Sequence, residues 1–106
     1  MKKKQTNVIE EIKPLVIMCY LLEFAELTEN QLNEIATLEN TMTALEVIDV
    51  LTTVENRKLA TLTEKGTYKL TDFGQTLSRE FKSSLTYELR EKLQLETMRV
   101  LKESLS

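Results

Sequence analysis

The chain offers few side chains with reactive chemistry. Its 106 residues include no histidine, so the side chain most often used as general base or metal ligand is missing. The single cysteine, Cys19, sits inside the apolar run Leu15–Leu22 and reads as a core thiol, not a nucleophile. The Asp and Glu residues are scattered along helix-patterned segments without the spacing of a metal loop. Gly66 and Gly74 are the only glycines, too few to cradle a phosphate. Tyr20, Phe24, Tyr68, Phe73, Phe81 and Tyr87 are too dispersed for a base-stacking platform, and packing is their expected role. The reading is of a protein without catalytic activity, cofactor or metal.

The chemistry that remains is charge. Net charge is −3, but its distribution is uneven. Residues 1–13 carry four lysines against two acids; residues 14–56 carry eight acids and no base; residues 57–106 carry ten bases against seven acids. Affinity for nucleic acid comes largely from neutralising phosphates. Lys2, Lys3, Lys4, Arg57, Lys58, Lys65 and Lys69 are the candidate contacts to a DNA backbone, and they read equally as solvated surface charges. The basic-free stretch points the other way, toward a protein partner.

These charges must be held by short elements. Pro14 suits a first helical turn, so a helix is expected from about Lys13 through the apolar residues to Leu22 and beyond, with Asn7–Ile12 adding either an earlier turn or a separate arm. Its apolar character on most sides marks it as central. Thr28 with Gln31 is a capping box that opens a second helix bearing Leu32, Ile35, Ala36 and Leu38. Thr43 with Glu46 opens a third, whose inward face is Ala44, Val47, Ile48, Leu51 and Val54. Its outward face is Thr43, Glu46, Asp49, Val50 and Thr53. From Leu59 the period changes. Leu59–Thr63 and Thr67–Leu70 read as strands, with Gly66 supplying the positive φ of a hairpin turn. Thr71 and Asp72 start a fourth helix. Leu62-Thr63-Glu64-Lys65-Gly66 echoes Leu70-Thr71-Asp72-Phe73-Gly74, but only the second leads into a helical pattern.

Three helices with a short turn between the second and third, then a hairpin leaving through Leu70-Thr71-Asp72-Phe73-Gly74, resemble the winged helix-turn-helix superfamily. More narrowly, residues 13–93 are similar to an uncharacterised family of small bacterial proteins regarded as winged-helix transcriptional regulators. That similarity rests on Lys13-Pro14-Leu15-Val16-Ile17, Leu27-Thr28-Glu29-Asn30-Gln31-Leu32, Thr43–Leu51 and Leu89-Arg90-Glu91-Lys92-Leu93. The resemblance implies that the third helix is the recognition helix and Glu64-Lys65-Gly66 the wing tip. The chain departs from the DNA-reading pattern, because this helix offers Glu46 and Asp49 where Arg, Lys, Asn or Gln usually reach base edges.

A long last helix is expected from about Thr86 to Glu103. Leu85, Leu89, Leu93, Met98, Leu101 and Leu105 form a ridge longer than so small a domain can cover. The favoured reading is a homodimer interface, the other a helix folded onto its own core. Arg90, Glu91, Glu96, Arg99 and Lys102 would flank the seam. The expectation is thus a mainly α protein with a small β-hairpin: a basic arm (1–12), a winged-helix domain (13–83) and a dimerising helix (84–106). Its partners would be a second copy and either duplex DNA or another protein. The apolar run of eight residues is far short of the roughly 20 that a membrane span needs, and a cytoplasmic protein is expected.

Overall fold

Burial is concentrated on one helix. In the computed structural model, which describes residues 3–38 and 41–105 and side chains from Glu11 onward, α1 spans Lys3–Leu22. Every residue from Val16 to Leu22 is buried. A helix enclosed on all sides is the central rod of the fold, as its composition predicts. Its start differs from expectation. The backbone is helical from Lys3, so residues 3–12 continue the helix and do not form a separate arm. Pro14 lies in the interior, where it has no N–H to donate to the carbonyl of Glu10. The fully buried half that follows holds the helix by packing, which overrides the one missing backbone bond.

β1 (Leu27–Thr28) leads into α2 (Glu29–Leu38), and α3 covers Ala44–Asn56. Both capping boxes are formed. The Thr28 N–H donates to Gln31 Oε1 at 2.8 Å, and the Gln31 N–H returns to Thr28 Oγ1 at 3.1 Å. Thr43 and Glu46 repeat the exchange at 2.8 and 3.2 Å. The inward line of α3 is narrower than expected. Val47, Leu51 and Val54 are buried, while Ala44 and Ile48 are exposed. Val50, expected outside, is half-buried against the core. It lies three residues after Val47 and four before Val54, so the helical period keeps it on their side.

α3 ends in a left-handed residue. Lys58 has φ 59°, the Leu59 N–H donates to the Val54 carbonyl at 2.9 Å, and the Lys58 N–H to that of Glu55 at 3.0 Å. This is a Schellman ending with lysine where glycine is usual. It turns the chain into β2 (Ala60–Leu62) and β3 (Thr67–Leu70), with Gly66 at φ 83° closing the hairpin. β3 is the middle strand of an antiparallel sheet in the order β1-β3-β2. Tyr68 faces Leu27 on one side and Leu62 on the other. β1 was not expected: two residues show no period, and only pairing with β3 makes them a strand.

The junction after β3 explains the echoed sequence. At Thr71 the hydroxyl accepts from the Gly74 N–H at 3.1 Å and donates to the Lys58 carbonyl at 2.6 Å. A Cβ on Gly74 would collide with the Leu59 carbonyl oxygen, so α4 (Asp72–Phe81) packs on the hairpin base only because that residue is glycine. In the first copy, Gly66 instead closes the turn, its N–H donating to the Thr63 carbonyl at 3.0 Å.

A short 3-10 turn, Lys82–Ser84, precedes α5 (Tyr87–Ser104), which is capped by Thr86. Leu85, Leu93, Thr97 and Val100 are buried, and the first, second and fourth belong to the same core as α1. The described residues therefore make a mainly helical molecule with a small three-stranded antiparallel sheet.

Candidate interaction surfaces

The bases expected to contact a DNA backbone fall into two groups. Arg57 and Lys58 leave α3, Lys65 sits in the hairpin turn, and Lys69 lies in mid-strand opposite Thr61. All four are exposed. With Glu64 as the single acid between residues 57 and 70, the hairpin and its base carry four bases against one acid. Lys2 lies outside the described residues, as do the side chains of Lys3 and Lys4, whose backbone opens α1.

Packing of the hairpin follows from alternation. Tyr68 points inward between its neighbours, which sends Lys69 to solvent. At the turn end of the hairpin, Thr63 and Thr67 join hydroxyls at 2.8 Å, and the Thr67 hydroxyl donates to Glu26 Oε1 at 2.9 Å. The turn bearing Lys65 is thus tied to the segment before β1.

The expected outward face of α3 divides in two. Thr43 and Glu46 are engaged in capping their own helix, so one oxygen of the Glu46 carboxylate accepts a backbone N–H. Asp49, Val50 and Thr53 turn toward α1, where with Arg57, Glu11, Ile12, Pro14 and Leu15 they line a groove of about 300 Å³. Two large apolar residues of α3 also stand outside: Leu45, which the sequence does not single out, and Ile48, which it places on the inward face. Leu45 is 76% exposed and Ile48 50%. The wheel position of Leu45, opposite Val47 and Val54, is the signal that could have found it. No Lys or Arg lies between Ala44 and Asn56.

The leucine ridge also divides. Leu85 and Leu93 are fully buried in the chain's own core, and Leu89 is half-buried against it. These three do not form an outer surface. Met98, the partly covered Leu101 and Leu105 stay outside, joined by Leu95, which is not part of the expected ridge. The five-residue step from Leu93 to Met98 rotates the helix by roughly 140° onto another face. Of the expected seam charges, Glu96 and Arg99 serve packing within the chain. Arg99 reaches Glu96 and Glu103 at 2.7 Å each and Glu34 of α2 at 3.0 Å. The hydrogen bonds it donates to Glu96 and Glu34 above all hold its pKa above the ordinary arginine value.

Cys19 is fully buried, and desolvation, with a smaller contribution from Glu23, pushes its thiol up to about 12. A thiol so far from ionisation is no nucleophile at neutral pH. Among the described residues, no three His, Cys, Asp or Glu side chains are grouped to hold a metal ion. No described helix is long and apolar enough to cross a membrane. Comparison of the chain with family models, curated proteins and solved structures gives no match.

Proposed function

We propose that the chain is a winged helix-turn-helix protein that grips duplex DNA by its hairpin and acts as a transcription regulator. The element order supports this reading: helix, short strand, two helices and a hairpin, with the last strand in the middle of the sheet. The observation that carries it is the cluster of exposed bases Arg57, Lys58, Lys65 and Lys69 on one hairpin and its base. In this reading the wing supplies backbone affinity, and α3, without bases, reads sequence weakly.

One observation favours a second reading, an interaction module that docks on a protein. Leu45 and Ile48 project from an acidic helix, as an apolar anchor with a charged rim would. Fluorescence anisotropy against random duplex DNA separates the two. Four phosphate contacts predict an affinity falling with salt at a log–log slope of about 3 to 4. Replacing Lys65 and Lys69 with alanine should reduce that slope by about 2, while Leu45→Ser with Ile48→Ser should leave it unchanged. No binding at low salt would remove the DNA reading and leave the α3 surface as the functional one.

A further inference from the structure

We infer that α5 pairs with α5 of a second copy of this chain, antiparallel, about a two-fold axis at the level of Glu96 and Thr97. The observation is a pattern on the outer face of the helix. At 100° per residue, Tyr87, Glu91, Leu95, Met98, Lys102 and Leu105 fall within a sector of roughly 80°. All six are exposed; the four apolar ones range from 59% to 88%. The core-facing residues Leu89, Leu93 and Val100 lie on the opposite side. This outer face is therefore a second surface, distinct from the ridge that completes the chain's own core.

The order of residues on this face selects the occupant. Read from either end it runs apolar, charged, apolar, apolar, charged, apolar, and the two charges are opposite. About the proposed axis, Leu95 meets the partner's Met98, and Glu91 meets the partner's Lys102. Symmetry makes each of these contacts twice. Leu105 falls beside Glu88 and Tyr87 of the partner subunit, closing the ends with apolar surface. A parallel pair would instead set Glu91 on the partner's Glu91 and Lys102 on the partner's Lys102. Charge complementarity thus favours a second copy in one orientation. The surface shares no residue with the hairpin, so the inference stands or falls independently of DNA binding. One helix pair is a small interface, and a dissociation constant on the order of micromolar is expected.

Sedimentation of the full chain across that concentration range tests the association, with a mass of twice 12.3 kDa expected at the upper end. Glu91→Lys alone should weaken the dimer roughly tenfold, since two pairs become repulsive at once; Lys102→Glu alone should do the same. Glu91→Lys with Lys102→Glu should restore it. Glu91→Cys and Lys102→Cys proteins, mixed with oxidised glutathione as the oxidant, should form a disulfide with each other, and neither with itself; Cys19 is buried and stays out of the exchange. Helix content by circular dichroism confirms that each variant is folded. A monomer throughout, a double exchange that fails to restore the dimer, or a Glu91→Cys protein that cross-links to its own kind would overturn the inference.

Discussion

At the scale of single residues, the side chains with the most chemical potential are committed to structure. Cys19 is the example. Below pH 9.0 both folded and unfolded chains keep its proton. Between 9.0 and about 12 only the unfolded chain ionises, so stability falls as pH rises through that window. Tyr20 and Tyr68, whose pKa values burial also raises, add to the fall above 10.0. Urea midpoints measured at pH 8 and pH 10 should show the loss, with a smaller pH dependence in Cys19→Ala. A midpoint equally steep in that variant would assign the effect elsewhere. The burial of Cys19 was legible because it stands in an unbroken apolar run. The outward position of Leu45 was harder to read, because its residue type points inward and only its place on the wheel, opposite Val47 and Val54, points out.

At the scale of elements, boundaries with a chemical signature were readable and those without one were not. Thr28, Thr43, Thr71 and Gly66 mark their turns by side-chain oxygen or backbone freedom, and each sits at the end it announces. The start of α1 lies earlier than expected because a proline tolerated in a helix interior looks like one placed at a helix start. The last helix reads as one ridge because leucines at four-residue spacing give way to a five-residue step that changes face. The β3–α4 junction yields a test. A helical Gly→Ala exchange ordinarily gains up to about 1 kcal/mol. At Gly74 the sign should reverse, with a loss of about 3 kcal/mol, because the methyl group meets the rigid Leu59 carbonyl. Thermal denaturation of Gly74→Ala reads it directly; a melting temperature equal to or above that of the parent would show that the hairpin base can yield.

At the scale of the whole molecule, charge and core divide the chain differently. Charge separates an acidic first half from a basic second half, and this was plain in the sequence. The core does not respect that division, nor the expected border near residue 84. Leu85, Leu93 and Val100 pack with Val16–Leu22, and Arg99 ties α5 to Glu34 of α2. A chain ending at Ser84 should therefore lack a cooperative thermal transition. A sharp transition in that truncated protein would make α5 an appendage after all. Long-range packing of this kind is invisible to local pattern, since it depends on which elements meet and not on what each contains.

The middle position of β3 has a consequence for how the molecule comes into being. Leu27 and Thr28 leave the ribosome some forty residues ahead of their strand partners Tyr68 and Thr67. The hydrophobic wall that α5 provides arrives later still. Until then the nascent amino-terminal half holds its most apolar helix with neither sheet nor lid. Such a chain gathers its tertiary structure in one step once α5 has emerged, not by adding finished pieces as they appear.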